Sequence, residues 1–162
     1  MIANMLKHFT FALLLVFALT AEAQENGLLG GKAFTGMIGP SENPDLADTL
    51  YFNQGHFWSD ICTRCGFVPG PYIAQESDGD IEFSGTLQSE TRGRFDYDGI
   101  IGPKGGIVVS ITWERRRWYW TSTREIMFAG QLSTSPQTDS ISEIHRQMEA
   151  SDPDANPLCA RF

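Results

Sequence analysis

The stretch Ile81-Glu82-Phe83-Ser84-Gly85-Thr86-Leu87-Gln88-Ser89 alternates without a break. Ile81, Phe83, Gly85 and Leu87 fall on one parity, and Glu82, Ser84, Thr86 and Gln88 on the other. Side chains of a β-strand point to opposite faces in turn, so this is a strand with one apolar and one solvated face. Its core is a short pattern: an aromatic, any residue, Gly, any residue, an aliphatic. The pattern recurs at Phe34-Thr35-Gly36-Met37-Ile38, Tyr97-Asp98-Gly99-Ile100-Ile101 and Phe128-Ala129-Gly130-Gln131-Leu132. Each copy aims a ring, a bare Gly and a branched side chain at one core. Gly lets a strand bend, and a neighbouring ring covers the gap it leaves. Strands that bend repeatedly over one apolar face suit a small closed barrel.

Working outward, short turns separate further strand candidates. Lys32 to Ile38 is the first, followed by a loop over Gly39 to Asp45. Thr49 to Phe52 and His56 to Ser59 flank Asn53-Gln54-Gly55, a hairpin turn by composition. Asp60 to Pro71 is irregular or one helical turn. Tyr72 to Gln75, Ile81 to Ser89, Gly93 to Ile101 and Ile107 to Trp113 continue the meander. Glu114 to Arg117 reads as a tight turn, and Trp118 to Leu132 as a long strand with a bulge or bend. The expectation is an all-β fold: a single antiparallel up-and-down barrel of about eight strands. After Leu132 the chain turns polar. Ile141 to Met148 reads as a short helix capped by Ser140, with Ile141, Ile144 and Met148 on one face. The domains expected are a signal peptide over 1–23, a barrel over 24–132 and a C-terminal extension over 133–162.

The leader rests on a specific pattern. Lys7 and His8 precede an apolar run from Phe9 to Leu19, and Ala21-Glu22-Ala23 supplies a small-x-small cleavage site. The run is shorter than the roughly 20 apolar residues that span a bilayer. A secreted or periplasmic chain with no membrane span after cleavage is expected. The formal charge is −8, with 12 basic and 20 acidic residues. Phosphate backbones repel such a chain, so no nucleic-acid partner is expected.

Three cysteines, Cys62, Cys65 and Cys159, remain after the leader. An odd count leaves at least one unpaired within the chain. The economical pairing joins Cys159 to Cys62 or Cys65, and Cys62–Cys159 is the expectation carried forward. A Cys62–Cys65 bridge is the alternative. Closing a loop of about 95 residues stabilises by roughly 4–5 kcal/mol in the chain-entropy model. Cys62-Thr63-Arg64-Cys65 has redox spacing, but no βαβ pattern surrounds it. No second Cys or His pair completes a zinc site, so no metal and no cofactor is expected.

The densest cluster is Trp113-Glu114-Arg115-Arg116-Arg117-Trp118-Tyr119-Trp120. Trp118, Trp120, Ser122 and Arg124 share the parity of Ile126, Phe128 and Gly130, the inward face. An Arg among apolar neighbours is moved outward by a bulge, paired internally, or set at a pocket mouth to await an anion. Aromatic walls with a few convergent polar groups are what ligand cavities look like. Trp118, Trp120, Ser122 and Arg124 are therefore the candidate ligand-binding residues. His56 and His145 stand far apart with no nucleophile motif, so a non-enzymatic role is expected.

The stretch from Asp48 through Asn53, His56 and Trp58 to Cys62, followed by Gly66-Phe67, resembles small secreted bacterial proteins of uncharacterised function. Over residues 32–132 the aromatic-x-Gly strands resemble lipocalin- and avidin-like (calycin-type) barrels. The lipocalin Gly-x-Trp signature is absent, with Gly31-Lys32-Ala33-Phe34 in its place. The resemblance implies an antiparallel barrel and carries over no binding residues. Two functions follow as expectations. One is a binding barrel for a small apolar or amphipathic ligand. The other is an acidic protein-binding module, such as an inhibitor of a secreted hydrolase.

Overall fold

A computed structural model describes residues 27–135 and 139–161. The leader expected over 1–23 lies outside the described residues. Eight antiparallel strands close into one barrel in chain order. They are β1 (Ala33–Pro40), β2 (Leu46–Asn53), β3 (His56–Ser59), β4 (Gly70–Ser77), β5 (Asp80–Ser89), β6 (Gly93–Ile101), β7 (Gly106–Arg117) and β8 (Trp120–Leu132). A short helix α1 (Asp60–Arg64) follows β3, helix α2 (Ile141–Glu149) follows the barrel, and a 3-10 turn (Pro157–Arg161) ends it. Among the described residues, no helix is long and apolar enough to cross a membrane.

The glycine pattern explains the closure. Gly99 faces Phe83 across the β5–β6 ladder, and Gly85 faces Tyr97. A Cβ on Gly99 would lie 2.1 Å from the Phe83 ring, and one on Gly85 would lie 2.4 Å from the Phe57 ring. Rings therefore lie over the bare glycines. At the seam, Gly36 opposes Gly130, and a Cβ on Gly36 would meet the Ala129 carbonyl oxygen at 2.1 Å. β1 and β8 approach more closely there than any side chain permits. Edge strands expose unpaired backbone groups, and this seam removes them.

Turn chemistry sets the registers. Gln54 and Gly55 both have positive φ, 50° and 72°, as do Asp78 and Gly79, at 51° and 89°. Two successive positive φ values make the turn whose twist matches a hairpin. One expected turn differs. β7 runs through Arg117 and pairs with β8 up to Arg117↔Trp120, so the turn is Trp118-Tyr119 and not Glu114–Arg117. The β7–β8 register is continuous from Gly106↔Gln131 to that end, with no bulge.

The interior is filled. Phe52 packs against Phe57, Tyr72 and Phe83 at centroid distances of 5.9, 5.1 and 5.1 Å, and Phe57 meets Tyr97 at 5.0 Å. Leu29, fully buried, joins the core cluster from the lead-in before β1. The lead-in is held by hydrogen bonds from Gly31 N to Phe52 O (2.7 Å) and from Phe52 N to Lys32 O (2.9 Å). Outside the barrel, Tyr51 stacks on Trp58. Ile144 and Met148 of α2 share a groove with that pair. The Ser140 hydroxyl accepts from Glu143 N and caps α2, as its sequence implies.

Candidate ligand site at the barrel mouth

Beyond the last residues that β6 and β1 pair with, β7 and β8 have only each other. The β6–β7 ladder stops at Arg94↔Glu114 and the β8–β1 ladder at Pro40↔Ile126. Arg115 to Arg117 and their partners Trp120 to Ser122 therefore form a two-stranded ribbon, about 10 Å long, overhanging one end of the barrel.

The C-terminal segment is fastened below this ribbon. Cys159 is bonded to Cys65 and not to Cys62, which corrects the expected Cys62–Cys159 pairing. Cys62 is a buried free thiol. The reason is geometric: Cys62 lies inside α1 and meets the Tyr97 hydroxyl at 3.4 Å, whereas Cys65 caps the helix on the way out. Arg92 donates to the Cys159 carbonyl at 2.7 Å and pairs with Asp154. Arg124 donates to the Arg161 carbonyl at 3.1 Å, and Arg161 pairs with Asp45 in the β1–β2 loop at 3.4 Å.

Between the ribbon base, the β1–β2 loop and this segment lies an open cleft of about 460 Å³. Ile38, Pro40, Leu46, Phe95, Trp113 and Ile126 wall it, and Arg124, Glu125 and Arg161 also line it. Trp113 is nearly buried, and its indole N–H donates to the Arg92 carbonyl at 3.0 Å. The Arg124 guanidinium sits 5.2 Å from the centre of the Trp113 ring, within cation–π range. The arrangement offers an apolar wall with guanidinium groups beside it. That suits a molecule with an apolar body and an anionic head.

The four candidate residues separate. Arg124 lines the cleft. Trp120 and Ser122 line a neighbouring hollow of about 250 Å³ that shares Trp113, Arg124 and Arg161 with the cleft. Trp118 lines neither; it is 94% exposed at the ribbon's turn. The sequence reading missed Trp113, Ile38, Leu46 and Arg161. Trp113 carried a usable signal, since it continues the inward parity of Ile107, Val109 and Ile111. Arg161 carried none, because the disulfide and Asp45 place it.

A second polar feature lies inside the same end. Asp48 accepts the Ser59 hydroxyl at 2.7 Å and Ile61 N at 3.1 Å, and Ser59 Oγ accepts Cys62 N at 3.0 Å. Two otherwise unpaired N–H groups at the start of α1 are thereby satisfied. Burial pushes the Asp48 carboxyl up to about 6, opposed by the bonds from Ser59 and Ile61. Burial, helped by the Asp48 charge, pushes the Cys62 thiol up to about 12. Burial also holds the Tyr97 phenol well above its ordinary value. A thiol so disposed stays protonated and is a poor nucleophile. The network fastens α1 to the barrel wall. Among the described residues, no group of three or more His, Cys, Asp or Glu is placed to hold a metal ion.

Comparison of the chain with models of known protein families, with curated proteins and with solved structures finds no match.

Proposed function

We propose that this chain is a secreted or periplasmic binding barrel, calycin-like in architecture, that holds a small amphipathic ligand at its mouth. One observation carries the reading: the cleft of about 460 Å³, apolar on its walls and flanked by Arg124 and Arg161. Such a volume lies in the range of small-molecule sites, roughly 300–1,000 Å³. The filled core moves the site from the barrel interior to its rim. The Cys65–Cys159 bridge is compatible with an oxidising compartment, and the sequence pattern of residues 1–23 supports export.

The test is displacement of a fluorescent anionic amphiphile, 1-anilinonaphthalene-8-sulfonate, by dodecanoate. Saturable, competitive binding that weakens at least fivefold in Ile126→Gln and in Arg124→Gln is expected. Binding unchanged in both variants overturns the reading.

A protein-binding module is the second reading, favoured by Trp118, Tyr119 and Trp120, all exposed on the ribbon's end. That tip carries Arg116 and Arg117 beside the rings, so it suits an acidic surface on the partner, such as one on a secreted hydrolase. Loss of a partner on Trp118→Ala, with amphiphile binding intact, would favour it.

A further inference from the structure

Alternation along the overhanging ribbon sorts its side chains onto two faces. One face carries Trp113, Arg115 and Arg117 on β7 against Arg124, Ser122 and Trp120 on β8, paired in that order. Arg115 therefore stands between two like charges, Arg117 two residues along its own strand and Arg124 diagonally across the ladder, and like charges so placed repel. Arg161 reaches the same hollow from the C-terminal segment.

This crowding is unusual for a chain with 20 acidic and 12 basic residues. Arg64, Arg92, Arg94, Arg146 and Arg161 are each paired with a carboxylate. Arg115, Arg117 and Arg124 have no carboxylate partner among the described residues. The acids nearby are committed elsewhere. Glu125 accepts from the Thr112 hydroxyl, Asp45 pairs with Arg161, and Glu114 belongs to the ribbon's other face by alternation. An anion bound between these guanidiniums would relieve their repulsion.

The hollow shares Trp113, Arg124 and Arg161 with the apolar cleft, so one molecule can occupy both. A carboxylate brings one charge and two oxygens. A phosphate monoester brings close to two charges and three terminal oxygens, enough for several guanidiniums and the Ser122 hydroxyl at once. We infer that the mouth is built for an amphiphile with a phosphate monoester head: its alkyl part in the cleft, its phosphate among Arg115, Arg117, Arg124 and Arg161. This rests on the cleft reading and names the ligand's head group.

The experiment is isothermal titration of the oxidised protein with dodecyl phosphate, dodecanoate and inorganic phosphate, below micellar concentrations. The same series is run on the double variant Arg115→Gln/Arg117→Gln. Both positions lie on the overhang, and thermal unfolding of the variant should match the parent. The expected result is dodecyl phosphate bound at least tenfold more tightly than dodecanoate or inorganic phosphate. The double variant should lose that advantage and keep dodecanoate affinity within twofold. Equal affinity for both amphiphiles, indifferent to the double variant, overturns the head-group assignment and leaves the cleft reading standing. Inorganic phosphate binding as well as dodecyl phosphate, and lost in the double variant, overturns the amphiphile and leaves a free-phosphate site. No binding by either amphiphile overturns both readings.

Discussion

The barrel interior and the barrel mouth are built from the same alternating strands, yet they behave as opposite materials. Inside, the inward positions Ile81, Phe83, Gly85 and Leu87 of β5 and Phe95, Tyr97, Gly99 and Ile101 of β6 carry a ring, an aliphatic chain or a glycine covered by a ring. At the mouth, the same inward parity of β7 and β8 continues into Arg115, Arg117, Ser122 and Arg124, beyond the last pairs to β6 and β1. The difference shows that strand parity assigns a side chain to a face but not to a height. Below the rim the inward face is core, and above it the same face lines the open cleft and hollow. Interior residues should therefore govern stability and leave binding alone, and ribbon residues the reverse.

The disulfide is where the two regions join, so breaking it should have the largest effect. Removing it with Cys65→Ser/Cys159→Ser should lower unfolding free energy by about 4–5 kcal/mol, since the bridge spans 94 residues. It should also weaken amphiphile binding, because Arg161 is released; urea denaturation and the displacement assay read the two losses. Next comes the packed interior. Phe57→Ala should cost about 3–5 kcal/mol in urea, the usual range for a buried Phe.

Asp48 sharpens the comparison through pH. Its folded pKa of about 6 exceeds the usual 3.8, so the native state holds its proton longer than the unfolded chain does. Its contribution is greatest below pH 4 and is lost as pH rises through 6, by roughly 3 kcal/mol in total. The difference in unfolding free energy between the parent and Asp48→Asn should shrink by about 2–2.5 kcal/mol from pH 4 to 7, since the unfolded carboxyl is already half ionised at pH 4. A flat difference would mean that the carboxyl is not held in its buried form. Gly99→Ala should cost about 1–3 kcal/mol, because the Phe83 ring must shift to admit the methyl group. The smallest effect belongs to the tip: Trp118→Ala should change stability by less than about 0.5 kcal/mol.

Much of this molecule is legible in its sequence. The aromatic-x-Gly-x-aliphatic copies mark strands that the structure bends and closes, and three of the four bury both their ring and their aliphatic residue. The fourth departs at Leu132, exposed where β8 leaves the barrel. The Gln54-Gly55 and Asp78-Gly79 turns and the Ser140 cap are local chemistry, so they read correctly. The turn expected at Glu114–Arg117 lies instead at Trp118-Tyr119, because three successive arginines are equally polar in a turn and in an overhanging strand. The chain continues as a strand there, and alternation sends Arg116 to one face and Arg115 and Arg117 to the other. The choice between Cys62 and Cys65 was hidden because they lie three residues apart on one helical turn. Which of them meets the tail depends on how Asp48 and Ser59 seat that turn. The cleft was legible only through Arg124, whose isolation among apolar neighbours already asked for an anion or a partner.

The buried thiol of Cys62 has a kinetic consequence. Disulfides reshuffle only when a thiolate attacks them, and this thiol lies three residues from a bridged sulfur. Burial pushes its pKa up to about 12, so the thiolate is far rarer at pH 7 than it is for an ordinary thiol. Scrambling to Cys62–Cys65 or Cys62–Cys159 is slowed by the scarcity of that thiolate, and steric exclusion slows it further. The odd cysteine is thus kept as an unreactive spectator, and an alkylating reagent should find no thiol until the barrel opens.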